Sequence, residues 1–155
     1  PAPTTAPPAP TPAPTPAPPA NRLGQQAVDL ALSQVGKRHV LGAAGPDTFD
    51  CSGLVHYVWR QLGVVIPRDA DDQCAAAASI PLADVQPGDL YFFADPDRPV
   101  HHVGIVVTAD VMLHAPMTGQ SVVEEAFSPA RRDTLISAGR FPLSPVQSRP
   151  LQGPA

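Results

Sequence analysis

The hydrophobic pattern changes its period near Gly88, and this change constrains the fold more than any other feature of the sequence. Before that point, apolar residues recur every three or four positions, as Leu23, Ala27 and Leu30 do. After it, short apolar runs such as 90–93 alternate with turns. The first pattern is typical of amphipathic helices and the second of strands. Helices followed by a meander of antiparallel strands predict an α+β domain.

Turn residues and changes of period divide the chain into expected elements. Helices are expected at residues 22–35, 51–62 and 68–79, the first two ending at Gly36 and Gly63. Strands are expected at residues 90–93, 102–107, 111–114, 121–125 and 135–141. Shorter extended pieces are expected at residues 37–42 and 64–67. The brief connection 108–110 predicts a hairpin between the second and third strands.

The two ends of the chain differ in composition from the middle. Residues 1–20 contain only Pro, Ala and Thr, and ten of the twenty are Pro. Such a segment has no large apolar side chain to bury, so it is predicted to be an extended polyproline-II spacer. It could be an inert tail, a tether, or a strand that docks into a groove of the domain and blocks it. The Pro-rich residues 142–155 predict a loosely attached tail, which leaves one domain at 21–141.

Composition and charge argue against several classes of protein. The net charge is −4 and the pI is about 5.6, so no nucleic-acid partner is expected. No apolar run approaches the roughly 18 residues that span a bilayer. The chain has no Cys-x-x-Cys pair, and its acidic segment 69–72 lacks the glycine and the later glutamate of a calcium loop. No metal and no cofactor is expected.

Cys51 is predicted to lie in the first turn of the second helix, directly after Asp50, which suits the N-cap position. A thiol placed there faces unpaired N–H groups and the positive end of the helix dipole, which favour the thiolate. The alternative is a small buried apolar side chain. The second cysteine, Cys74, could form a disulfide with Cys51. Because a bridge would consume the candidate nucleophile, we interpret both as thiols and Cys74 as a small core residue on a helix.

Two histidines flank the predicted hairpin. His102 begins an otherwise apolar strand, and His114 ends the next strand. Pairing through the short turn would bring them side by side at one edge of the sheet. A cysteine nucleophile needs a base to accept its proton, and the base needs a polar group to orient it. His101 competes with His102, because successive residues of a strand face opposite ways, and the alternation alone does not choose between them.

Four segments in order resemble a known family. They are Phe-Asp-Cys-Ser-Gly-Leu at 49–54, Pro-Gly-Asp-Leu-Tyr-Phe-Phe at 87–93, His-Val-Gly-Ile-Val at 102–106 and Met-Leu-His-Ala at 112–115. Together they are similar to the NlpC family of bacterial cell-wall cysteine endopeptidases, which have a papain-like fold with the nucleophile at a helix N-terminus. The resemblance covers about residues 23–141. With its spacer, the chain is similar to the Rip-type peptidoglycan endopeptidases of actinobacteria.

The resemblance implies a peptidoglycan hydrolase that cleaves a stem-peptide bond, typically between D-glutamyl and meso-diaminopimelate. Cys51 would attack the carbonyl, His102 would accept the thiol proton and then protonate the leaving amine, and His114 would orient His102. Asp50 and Ser52 would hold substrate. The implied location is secreted, in the cell wall or a periplasm-like envelope space. Expected partners are peptidoglycan stem peptides and other wall hydrolases, with the chain itself a monomer.

One position departs from the family pattern. The family carries Tyr-Val-Trp-Gly ahead of the cysteine, and the Tyr hydroxyl reaches the active site. This chain has His39 in place of the Tyr and Leu41 in place of the Trp. His39 is therefore a candidate substrate-binding residue whose reach and charge differ from those of Tyr. Two alternatives to an endopeptidase stay open: a wall-binding module with weak or no hydrolysis, and an amidase or acyltransferase on the same scaffold.

Overall fold

The computed structural model describes residues 19–141. The expected C-terminal tail and almost all of the expected spacer lie outside the described residues, and so does the possible docking of that spacer. Only Pro19 and Ala20 of the spacer are included, and they already belong to the first helix. No helix within residues 19–141 is long and apolar enough to cross a membrane.

Within this part of the chain there are four α-helices. They are α1 (Pro19–Leu32), α2 (Cys51–Gln61), α3 (Ala70–Ala76) and α4 (Pro129–Thr134). The first three were expected, but α1 ends before Val35, whose side chain is exposed rather than part of the buried stripe. Helix α3 is shorter than expected because residues 78–80 form a strand instead. Helix α4 was not predicted, although Ser128 caps it by accepting a hydrogen bond from the Arg131 N–H at 3.2 Å.

Eight strands lie in the same part of the chain. They are β1 (Arg38–His39), β2 (Thr48–Phe49), β3 (Ala78–Ile80), β4 (Leu90–Phe93), β5 (His102–Thr108), β6 (Val111–His114), β7 (Val123–Ala126) and β8 (Leu135–Arg140). All five strands of the expected meander are present, with β7 shifted toward the C-terminus relative to the prediction. The strands β2 and β3 were missed. A single turn of 3₁₀-helix at Leu82–Asp84 follows β3.

Six of these strands form one antiparallel sheet in the order β3-β8-β4-β5-β6-β7. The remaining two, β1 and β2, form a small parallel pair ahead of α2. Helices α1 and α2 pack against the sheet, and α2 lies over β5. The expected α+β class, with helices first and an antiparallel sheet second, is confirmed.

Apolar side chains cover both faces of the central strand β4. Its alternate residues Leu90 and Phe92 join the main core with Trp59 of α2. Tyr91 and Phe93 belong to a smaller cluster on the other face, with Met112 of β6. A strand that is buried on both faces has a continuous apolar run rather than an alternating one, which is the pattern seen at 90–93.

Candidate active site

The start of α2 is fixed by contacts on both sides of Cys51. Asp50 is the N-cap residue, as expected, and its Oδ1 accepts a hydrogen bond of 2.6 Å from the Gly53 N–H. Gly53 itself packs so tightly that a Cβ there would collide with the Ala43 carbonyl oxygen. The helix therefore begins at one defined place, with the half-buried Cys51 side chain at the wall of a cavity.

The Cys51 thiol is less acidic than its place at a helix start suggests. Burial raises the pKa of the Cys51 thiol, and the charge of Asp50 raises it further. Backbone N–H groups, including those of Ser52 and Val103, act in the opposite direction without outweighing burial. The helix start therefore acts in the expected direction, toward the thiolate, but burial has the larger effect and the resting group is the thiol. Within the described residues, the hydrogen-bond contact of the thiol is the His101 carbonyl oxygen, 3.9 Å from Sγ.

His102 and His114 lie together at one end of the β5–β6 hairpin. Nε2 of His102 is 2.7 Å from Nδ1 of His114, and both side chains are buried. Gly104 lies beside them in the sheet and leaves room for Met112, because a Cβ there would lie 2.5 Å from the Met112 sulfur. His101, in contrast, is exposed and its ring is 3.4 Å from Asp95. The structure thus brings His102, and not His101, beside His114.

Both buried imidazoles are poor bases compared with a free histidine. Burial lowers the pKa of His102 well below its usual value, and the nearby charges of His114 and Arg131 lower it further. Burial also lowers the pKa of His114, although the Glu125 carboxylate acts to raise it. Near pH 7 both rings are therefore neutral, and each carries a single N–H.

Glu125 and Arg131 complete the histidine side of the cavity, and the sequence reasoning missed both. The His114 Nε2 is 2.7 Å from Glu125 Oε1, and Arg131 Nε donates to Glu125 Oε2 at 3.1 Å. Burial acts to raise the pKa of Glu125, but the hydrogen bonds from Arg131 and His114 outweigh it and lower the pKa. A usable signal was Ser128-Pro129, a helix start that follows β7 closely and returns the chain toward it.

Arg68 holds two residues on the opposite side of the cavity, Asp50 and Ser52, and it was missed as well. Its Nη1 donates to Asp50 Oδ1 at 3.0 Å and to Ser52 Oγ at 2.9 Å, and its Nη2 donates to Asp50 Oδ2 at 2.9 Å. The Gly42 N–H donates to the same Oδ2 at 2.8 Å. Burial acts to raise the pKa of Asp50, but these hydrogen bonds outweigh it and lower the pKa. Asp50 is therefore an ionised carboxylate that Arg68 and two backbone N–H groups hold in place.

A cavity of about 790 Å³ joins the two sides. Its wall includes the predicted residues His39, Asp50, Cys51, Ser52 and His102, together with the newly found Glu125 and Arg131. His114 is fully buried behind His102 and is not among the lining residues. His39 is buried at the end of β1, where its Nδ1 lies 3.5 Å from Thr118 Oγ1. Exposed Leu41 and Met117 form part of the rim.

The second cysteine lies apart from this arrangement. Cys74 is half-buried on α3, with its sulfur 3.6 Å from Ser137 Oγ, and neither cysteine is in a disulfide. Between residues 19 and 141, no cluster of three or more His, Cys, Asp or Glu residues is placed to hold a metal ion. The chemistry available at the site is that of a thiol, the paired imidazoles of His102 and His114, the further imidazole of His39 and two arginine-bound carboxylates.

Comparison with known proteins identifies the family of this chain. Residues 36–140 match the NlpC/P60 family. The gamma-D-glutamyl-L-lysine dipeptidyl-peptidase of Bacillus subtilis is 41% identical over 90 residues, which are 57% of this chain and 30% of that protein. The curated relatives that match first are all longer, and the chain spans less than half of their length.

Solved structures agree on the fold. NlpC1 of Trichomonas vaginalis matches with a TM-score of 0.69 and 34% identity over 78% of this chain and 44% of that one. The peptidoglycan hydrolase RipB of Mycobacterium tuberculosis matches with a TM-score of 0.69 and 27% identity, over 79% of this chain and 66% of that one. The resemblance noted in the sequence, including that to Rip-type proteins, is confirmed. The chain belongs to the NlpC/P60 family.

Proposed function

We propose that this domain is a cysteine endopeptidase that hydrolyses a peptide bond in the stem peptides of peptidoglycan. One observation carries the proposal: Cys51 at the start of α2 and His102 at the start of β5 line the same cavity, and His114 is hydrogen-bonded behind His102. A nucleophile, a base and an orienting group are the parts that acyl transfer through a thioester requires. The names of relatives support the substrate, because RipB is described as a peptidoglycan hydrolase.

The proposed reaction begins from a neutral thiol and a neutral imidazole, since burial raises the pKa of Cys51 and lowers that of His102. His102 accepts the thiol proton as the sulfur attacks the scissile carbonyl carbon. The tetrahedral intermediate collapses when the C–N bond breaks, and the imidazolium of His102 gives its proton to the leaving amine. Water, deprotonated by the same imidazole, then attacks the thioester and releases the carboxylic acid and the thiol.

Backbone and polar groups around the thiol would hold the substrate. The Cys51 N–H at the open end of α2 is the proposed first donor to the oxyanion. Asp50 and Ser52 are proposed to bind polar substrate groups, and the hydrogen bonds from Arg68 hold both in place. His39 lines the same cavity and is proposed to contact substrate with an imidazole in place of the tyrosine hydroxyl of the family.

The proposed bond lies between D-glutamyl and meso-diaminopimelate. The Bacillus relative is named for a bond between gamma-D-glutamyl and L-lysine, so the glutamyl side would be common to both. The proposed place of action is outside the cell, in the wall or the envelope space, where stem peptides are found. We further propose that the chain works as a monomer with a thiol and imidazole chemistry that needs no cofactor, and that other wall hydrolases are its partners.

Purified muropeptides provide the test. Incubation with the protein, followed by mass spectrometry, should give one fragment that ends in D-glutamate and one that begins with diaminopimelate. Cys51→Ala should abolish both fragments, with a loss of at least about 10⁴-fold in kcat, because it removes the nucleophile. Its circular dichroism should match the wild type. Cleavage by Cys51→Ala at the wild-type rate would overturn the proposal. Binding of muropeptides without cleavage would indicate a wall-binding module, and an acylated amine product would indicate an acyltransferase.

A further inference from the structure

Glu125 is hydrogen-bonded to His114, although it is not one of the proposed catalytic residues Cys51, His102 and His114. It lies on β7, and its carboxylate has two partners, with Oε1 close to both Nε2 of His114 and Nη2 of Arg131, the latter at 3.5 Å. Oε1 is 2.7 Å from Nε2 of His114, and Oε2 accepts from Nε of Arg131 at 3.1 Å. The side chain is 28% exposed, while His114 is fully buried. Glu125 is thus the charged end of a chain of hydrogen bonds that runs inward to the histidines.

The direction of each hydrogen bond in this chain follows from its outer end. An ionised carboxylate only accepts hydrogen bonds, so His114 must donate from Nε2. A neutral imidazole has one N–H, which leaves Nδ1 of His114 as an acceptor. The His102 nitrogen that faces it at 2.7 Å, Nε2, must then carry the proton of His102. The second nitrogen of His102, Nδ1, is left with its lone pair free.

Arg131 keeps this order of donors and acceptors fixed. Its hydrogen bond and charge help to hold the pKa of Glu125 below its usual value, against the opposing effect of burial. Its guanidinium also lies over the ring of Phe93, with 5.5 Å from Cζ to the centroid, and Phe93 packs on His102 with 5.6 Å between ring centroids. Arg131 therefore contacts both the carboxylate and the aromatic wall of the histidine pair.

We infer that Glu125 is a positioning residue that acts through His114 to hold His102 in the Nε2–H tautomer, with Nδ1 as the basic nitrogen of the site. This inference rests on the proposed function for its consequence in catalysis, but not for the tautomers themselves. A neutral side chain at position 125 removes the constraint, because an amide both donates and accepts. His114 would then populate both tautomers, and His102 would spend part of its time with the proton on the wrong nitrogen.

The first test reads the tautomers without any substrate. Nitrogen-15 NMR of the imidazole rings at pH 7.5 should show both His102 and His114 in the Nε2–H form in the wild type. In Glu125→Gln, His114 should become a mixture, whereas Glu124→Gln, the adjacent change on the same strand, should leave both rings unchanged. An Nδ1–H form of His102 in the wild type would overturn the inference. An unchanged spectrum in Glu125→Gln would do the same.

The second test separates positioning from a merely structural role. Glu125→Gln should lower kcat on muropeptides by about 10- to 100-fold with KM nearly unchanged. It should also move the acid limb of kcat/KM to lower pH, because the carboxylate that raises the pKa of His114 is gone. Glu125→Asp keeps the charge and should restore part of kcat.

The groups that influence the acid limb of the pH profile of kcat/KM lie on several elements. Besides Glu125 and Arg131, the charged or titratable side chains of residues 19–141 that act on the pair or line its cavity are His39 on β1, the adjacent His101, Asp50 and Cys51 at the start of α2, and Asp69 and Asp71 at the start of α3. A fall in kcat with an unmoved acid limb would overturn the inference. No turnover in the wild type would instead refute the proposed function, and the tautomer spectra would still decide the role of Glu125.

Discussion

The two sides of the cavity each hold a carboxylate against an arginine, yet they are built in different ways. On the thiol side, Asp50 precedes Cys51 in the sequence and caps the helix that Cys51 begins. On the histidine side, Glu125 reaches His114 across the β6–β7 pair, eleven residues away in the sequence. On the thiol side, the helix cap is a property of one short segment, and only Arg68 joins it from farther along the chain. The arrangement on the histidine side exists only when three strands and α4 are in place.

The two carboxylates also act on their neighbours in opposite senses. The charge of Asp50 raises the pKa of Cys51 and so disfavours the thiolate, while that of Glu125 raises the pKa of His114 and so favours the imidazolium. The difference arises because a thiol ionises to an anion and an imidazole to a cation. In both cases burial has the larger effect and favours the neutral form, so the site rests as thiol and imidazole.

The largest expected difference in kcat is between substitutions of two adjacent residues on the histidine side, His102 and His101. His102→Ala should lower kcat by about 10²- to 10⁴-fold, because it removes the proposed general base. His101→Ala should change kcat little, because its ring is exposed beside Asp95, and its backbone carbonyl, which contacts the thiol, is kept in the variant. Steady-state kinetics on muropeptides would measure both. A larger loss in His101→Ala than in His102→Ala would show that the base had been misassigned.

The distance along the sequence between contacting residues explains what the sequence could predict. The N-cap at Asp50 and the helix from Cys51 follow from residues within a few positions of one another, and both were predicted at the residues where they occur. The neighbourhood of His102 and His114 was also predicted, because a short hairpin leaves few ways to pair β5 and β6.

What was missed depends on contacts between segments far apart in the sequence. Arg68 reaches Asp50 from a loop eighteen residues later, and nothing in its local pattern indicates the direction of its side chain. Glu125 was included in a predicted strand, but its pairing with His114 depends on the register of β7, which a pattern of apolar residues does not determine. The net direction of the Cys51 pKa could not be predicted for the same reason, since burial is a property of the whole fold.

Asp50→Ala should destabilise the thiol side far more than a comparable change elsewhere. The substitution removes the N-cap of α2 and the partner of the part-buried Arg68. We expect the free energy of unfolding to fall by about 1 to 3 kcal/mol. Asp47→Ala removes the same charge from an exposed position of the nearby loop and should change the free energy little. Urea denaturation of the two variants would compare them, and equal stabilities would mean that the cap contributes nothing.

The smallest expected effect is on the pH dependence of the free energy of unfolding, to which the two sides of the cavity contribute in different pH ranges. The folded pKa values of His102 and His114 lie below 6.5, so below about pH 6.5 the unfolded chain binds protons that the folded chain does not. The free energy of unfolding should therefore fall as the pH drops from about 6.5 toward the folded pKa values. The slope is at most about 1.4 kcal/mol per pH unit for each histidine. The carboxyl groups of Asp50 and Glu125 become protonated in the folded protein only at lower pH, because their folded pKa values lie below 3.8 and 4.5.

The stabilising contribution of these carboxylates is present above their unfolded pKa values and is lost only as the pH falls through the folded ones. Urea denaturation between pH 7.5 and 3 should accordingly show two separate losses of stability, the first from the histidine side. His102→Gln, which keeps a polar side chain but cannot titrate, should reduce the first loss and leave the second unchanged. If the first loss keeps its full size in His102→Gln, it arises from another group, such as His56 on α2, whose pKa is also lowered by burial.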